Sequence, residues 1–184
     1  MSTRRLGILL SGLWLALALA GPGRAADDLL EAKVKTAYIF NLLPFAEWTA
    51  EPAENRQLPI RIAVAGADPV GDLLEELANA PMEGRGLKVE RLPDAAPPDP
   101  GVHLLFISRS AEKHLSDLLQ NLEGRNVLTI SDIPQFARRG GAIGFLKEGG
   151  RIRLEINLGT VKRLGWKIQA KLLEVARVIR EERP

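Results

Sequence analysis

Apolar and polar positions alternate along this chain in two periods, and the switches between them mark its elements. From Leu29 to Trp48, residues Leu30, Val34, Ala37, Tyr38 and Asn41 recur at helical spacing, with Ile39, Leu42, Phe45 and Ala46 widening the apolar face. Pro44 either kinks the end of this helix or opens a separate turn. A polar loop over residues 51–58 leads to Ile60–Ala65, a short β run. Gly66 ends the run, and Asp68-Pro69 reads as the N-cap and first position of a helix reaching about Asn79. Leu87–Leu92 alternates as a strand before a proline-rich loop to Gly101. His103–Ile107 is almost continuously apolar, as in a strand buried on both faces. Ser110 is placed to cap a helix from Ala111 to Leu122, Val127–Ile130 is a further strand, and Ser131 or Asp132 caps a short helix to Ala137. Ala142–Leu146 and Arg151–Ile156, joined by Lys147-Glu148-Gly149-Gly150, predict an antiparallel hairpin. Leu158 to about Arg180 reads as a helix broken at Gly165, with Ile168, Leu172, Val175 and Ile179 as its apolar stripe.

Strands alternating with helices predict an α/β fold, a three-layer sandwich around a mostly parallel open sheet of Rossmann or flavodoxin type. The hairpin makes the sheet mixed, and the long C-terminal helix completes it. There is no internal repeat, and residues 27–184 read as one domain.

The first residues follow a different pattern. Arg4-Arg5 precede an uncharged run from Leu6 to Ala20, then Gly21-Pro22-Gly23 and the small residues around Ala25-Ala26. Residues 1–25 therefore read as a cleaved signal peptide, since 15 apolar residues fall short of the ~20 a spanning helix needs. This places the folded part in the periplasm. Cleavage removes Arg4, Arg5 and Arg24, so Lys plus Arg falls from 25 to 22 against 23 Asp plus Glu, and the net charge moves from +2 to −1. The basic balance of the full chain is thus no argument for nucleic-acid binding.

The chain has no cysteine, which excludes disulfides, thiolate metal sites and cysteine nucleophiles. His103 and His114 are its only histidines, too few for a His-rich metal site. His103 opens a buried strand, His114 lies on a helix surface, and no Gly-x-Ser-x-Gly elbow is present, so no Ser-His-Asp arrangement is expected. Gly66-Ala67-Asp68-Pro69-Val70-Gly71 fails the dinucleotide fingerprint, and Pro69 removes an amide where a phosphate would sit. No cofactor is expected, and the reading is non-enzymatic. If the strands are parallel, Asp68, Ser108, Arg109, Ser131 and Asp132 converge at their carboxyl ends, where a small anion could bind. Helix capping calls for the same residue types at the same places, so both roles stand open. Tyr38, Phe45 and Trp48 form an aromatic segment that serves either core packing or a partner or dimer interface.

Several strings, in order, carry a resemblance. They are Lys35-Thr36-Ala37-Tyr38-Ile39-Phe40-Asn41 with Phe45 and Glu47-Trp48, and Ile62–Gly66 with Asp68-Pro69-Val70-Gly71. Leu104–Ser108 follows, then Val127–Asp132 with Phe136-Ala137 and Gly140–Phe145. Arg151–Asn157 with Lys171-Leu172-Leu173 and Ala176 ends the series. Together they resemble the YfiR family of periplasmic proteins. The resemblance implies an exported regulator that binds the periplasmic part of an inner-membrane diguanylate cyclase and represses cyclic di-GMP synthesis, with consequences for biofilm growth. It also implies an outer-membrane lipoprotein that can sequester the repressor, and a capacity to form homodimers. Family members often carry disulfide cysteines, one just before the strand at Leu104; Val102 stands there in this chain. A small-ligand binding or sensing module, working with a transporter or receptor, is the other reading the sequence allows.

Overall fold

The computed structural model describes residues 22–49, 52–79, 85–93 and 96–180. The apolar run of the expected signal peptide lies outside these described residues. Helix α1 spans Pro22–Leu42, starting earlier than the Leu29 that periodicity indicates, with proline at its first position, where the missing N–H is harmless. It stops short of Trp48 because Pro44 closes a 3-10 turn, Leu43–Phe45, and strand β1 follows at Ala46–Trp48.

The next elements follow the sequence pattern. They are β2 (Ile60–Ala65), α2 (Pro69–Asn79), β3 (Leu87–Leu92), β4 (Leu104–Ile107), α3 (Leu115–Asn121), β5 (Leu128–Ser131), β6 (Ile143–Glu148) and β7 (Arg151–Asn157). Gly149 and Gly150, with φ of 56° and 75°, make the tight turn between β6 and β7, a conformation that favours glycine at both places. Before α3 the chain forms a 3-10 helix, Arg109–His114. The short helix expected up to Ala137 is instead a 3-10 turn at Phe136–Arg139, entered through Gln135 at φ 58°.

The C-terminal segment departs most from expectation. In place of one helix from Leu158 to Arg180 there are α4 (Leu158–Arg163), β8 (Trp166–Ile168), α5 (Ala170–Leu173) and β9 (Arg177–Ile179). Gly165 at φ +72° turns the chain out of α4. Beyond it the burial has period two: Trp166 and Ile168 are buried while Lys167 is exposed. The register Ala46↔Ile168, Glu47↔Lys167, Trp48↔Trp166 joins β1 and β8 into an antiparallel ribbon. β9 pairs in parallel with β7 and covers its open edge.

The main sheet has seven strands in the order β3-β2-β4-β5-β6-β7-β9. β2 pairs in parallel with β3 and β4, and β4–β5 and β5–β6 are parallel too; only β6–β7 is antiparallel. The first five strands have flavodoxin-like doubly wound order. Side chains alternate between two helical layers. Ile62, Val64, Leu104, Phe106, Leu128 and Ile130 pack with Ala32, Ile39 and Leu42 of α1 and Val70 and Leu74 of α2. Ala63, Ala65, Leu105 and Ile107 face Leu115 and Leu118 of α3. No helix of the described residues is long and apolar enough to cross a membrane.

Candidate functional site

The sheet order sets β2, β4 and β5 side by side and parallel, so their carboxyl ends share one edge. β3 lies on one side of β2 and β4 on the other, so the winding reverses between β2 and β4. Open α/β sheets bind ligands at such a reversal. Here the loops Gly66–Asp68 and Ser108–Ser110 flank it, and they are tied to each other. The Ser108 and Ser110 hydroxyls lie 2.6 Å apart, and Ser110 Oγ accepts the Ala67 N–H at 2.9 Å. Ser110 thus serves the opposite loop and does not cap its own helix. Gly66 has φ +86°, and a Cβ there would stand 2.5 Å from both serine hydroxyls, so only glycine fits without displacement.

The other expected rim residues reach the same edge. Asp68 Oδ1 accepts the Val70 N–H at 2.8 Å and caps α2. Ser131 Oγ donates to the Ile107 carbonyl at 2.6 Å and accepts the Ile133 N–H at 2.9 Å. Arg109 Nη2 donates to the Asp132 carbonyl at 2.9 Å, joining the loops after β4 and β5. All five residues named from the sequence meet here, and most of their polar atoms cross-link the loops.

Sequence reasoning passed over the side chain that organises this edge. Lys35, 6% exposed, reaches down from α1, and its Nζ lies 2.6 Å from Asp132 Oδ2 and 2.8 Å from Glu31. Glu31 in turn meets Lys147 on β6 at 2.8 Å. The available signal was a lysine on the inner face of a helix, since Ala32, Lys35, Thr36, Ile39 and Leu42 are all buried. Hydrogen bonds from Lys147 and Lys35 pull the Glu31 carboxyl down to about 2. Burial works against the Lys35 charge, but hydrogen bonds to Asp132 and Glu31 outweigh it and raise its pKa. Asp68 is raised, chiefly by burial and further by the Asp132 charge, with the Val70 N–H opposing. Asp132 Oδ1 is buried with no hydrogen-bond partner.

This edge holds no serine–histidine pair. His103 sits before β4, at the other end of that strand, where its Nδ1 accepts the Arg61 N–H at 3.1 Å and its Nε2 is 3.1 Å from Arg85. Among the described residues, no group of three or more His, Asp or Glu is placed to hold a metal ion.

The three aromatic residues proposed as a patch separate into two places. Tyr38 and Phe45 line one apolar groove of about 280 Å³ with Val34, Ala37 and Leu172. A second groove of about 360 Å³ runs along the other side of α1, between Phe40 and Leu73, and Ala37 and Asn41 border both. Leu30 extends this outer stripe of α1 at 62% exposure. Trp48 lies elsewhere: it stacks on Trp166 at 6.5 Å and meets the His103 ring edge-on at 5.4 Å, with Nε1 buried and unpartnered.

Comparison with known families decides the assignment. Residues 32–177 match the family described as YfiR/HmsC-like, from the middle of α1 to the start of β9. The chain belongs to the YfiR/HmsC-like family. No match was found among curated proteins. Membership implies, at the level of the family, a periplasmic regulator of a diguanylate cyclase. The family match takes in strands β2 to β7 of the main sheet, the Lys35–Asp132 pair and both grooves on α1.

Proposed function

We propose that this YfiR/HmsC-like protein is a non-enzymatic periplasmic regulator that binds the periplasmic part of an inner-membrane diguanylate cyclase and represses cyclic di-GMP synthesis. The family match over residues 32–177 carries this reading. The outer face of α1 supports it: Leu30 is exposed, and the small Ala37 lies between two apolar grooves, an arrangement suited to receiving a partner's helix. Repression requires contact that stabilises the inactive state of the cyclase more than the active one. An outer-membrane lipoprotein that competes for the same face would release the cyclase.

Deletion of the gene tests the reading. Cyclic di-GMP is expected to rise and biofilm to increase, and complementation with the wild-type chain is expected to restore the low level. Unchanged cyclic di-GMP across growth conditions would sink it. Co-purification with the membrane cyclase from detergent extracts tests contact independently of output.

A further inference from the structure

The amino end of the parallel sheet, opposite the Lys35–Asp132 edge, holds a cleft of about 810 Å³ between α3, β5, the Phe136–Arg139 turn and α4. β5 contributes Thr129 to it, at the register position where β4 presents Leu105. The floor is polar and buried: Thr129 and Thr160 are 2% and 3% exposed. Thr129 Oγ1 accepts the Ala142 N–H at 3.0 Å, which leaves its own hydroxyl proton to donate. Three guanidinium groups line the cleft, those of Arg125, Arg139 and Arg163, against one carboxylate, Glu123. Arg139 is held at 2.6 Å by Glu112, which is not part of the lining, and Arg163 donates at 2.8 Å to Thr160 Oγ1, whose own proton goes to the Gly140 carbonyl at 3.4 Å. Arg125 is anchored by the Pro98 carbonyl at 2.5 Å. Leu119, Leu122 and Leu164 supply an apolar wall.

We propose that this cleft is a binding site for a small organic phosphate. Arginine forks beside the buried Thr129 hydroxyl match an anion with several acceptor oxygens. The leucine wall suits the compact body that carries the phosphate. The volume lies within the ~300–1,000 Å³ range of small-molecule sites. The site is independent of the α1 face proposed to contact a cyclase.

Adenosine monophosphate, inorganic phosphate and adenosine are the probes, titrated into the full mature protein by calorimetry and thermal shift. Adenosine monophosphate is expected to bind with sub-millimolar affinity and raise the melting temperature, inorganic phosphate to bind more weakly, and adenosine not to bind. The Arg139→Ala/Arg163→Ala variant is expected to weaken adenosine monophosphate at least tenfold while keeping its circular dichroism and unliganded melting temperature. If that variant melts early, Arg139→Ala alone, at an exposed side chain, is expected to weaken binding several-fold. No binding of adenosine monophosphate up to 10 mM, equal binding of adenosine, or unchanged affinity in a folded arginine variant would overturn the site.

Discussion

Lys35 Nζ lies 2.6 Å from Asp132 Oδ2, a buried ion pair between residues 97 positions apart that pins the inner face of α1 to the carboxyl edge of β5. α1 carries both proposed docking grooves on its opposite side, so this pair sets the position of the surface a partner would meet. A buried ion pair adds little net stability against an apolar replacement, but losing one partner strands the other charge.

Lys35→Met is therefore expected to destabilise the fold by about 3–5 kcal/mol, while Lys35→Met/Asp132→Leu recovers most of that loss. Urea unfolding of both variants at pH 7 checks this. A double variant as unstable as the single one would show that the pair contributes more than charge compensation.

Glu31 sets an acid limit. Its folded pKa, about 2, lies below the ordinary value of 4.5, so its contribution is fully present above pH 4.5 and is lost as pH falls toward 2. Glu31→Gln is expected to remove on the order of 1–3 kcal/mol at pH 7, less than the full shift implies because the site is partly solvated. The variant and wild type are expected to converge in stability near pH 2, as read from thermal melts across pH.

Asp68 has the opposite sign. Its folded pKa is raised, mainly by burial, so its ionised form opposes folding above that pKa, and protonation relieves this as pH falls. Asn keeps a side-chain oxygen for the Val70 N–H. Asp68→Asn is expected to be neutral or stabilising by up to about 1 kcal/mol at pH 7, with the gain gone below pH 3.8. A large loss at pH 7 would mean that the carboxylate is needed for more than the cap.

Gly66→Ala tests the sealed reversal between β2 and β4. The new Cβ would meet the Ser108 and Ser110 hydroxyls at 2.5 Å and hold φ at +86°. About 2–3 kcal/mol of destabilisation is expected, and adding Ser110→Gly is expected to relieve one of the two close contacts, leaving the Ser108 contact and the backbone strain. Chemical denaturation of the single and double variants separates the two effects.

The aromatic positions divide between affinity and stability. Ala37→Glu, on the exposed ridge between the α1 grooves, is expected to abolish cyclase co-purification and leave the melting temperature within a few degrees of wild type. Trp48→Ala is expected to act through stability instead, by about 2–3 kcal/mol, since Trp48 packs on Trp166 and His103 away from those grooves. Loss of co-purification in a Trp48→Ala protein of unchanged stability would move the docking face to the β1–β8 ribbon.

By itself the sequence determined the elements with strong local signals. Ile60–Ala65 reads as a short strand and His103–Ile107 as a doubly buried one, Asp68-Pro69 as a helix start, and Gly149-Gly150 as a hairpin turn, because period, capping and positive φ are written within a few residues. It also brought Asp68, Ser108, Arg109, Ser131 and Asp132 to one edge, since parallel strands align their carboxyl ends. Tertiary structure decided what depends on distant partners. Trp166–Ile168 and Arg177–Ile179 fit a helical stripe in isolation and became strands because β1 and the edge of β7 offered hydrogen bonds to pair with. Lys35 carried no sign of Asp132, as nothing in a helix repeat states which charge lies 97 residues on across the core.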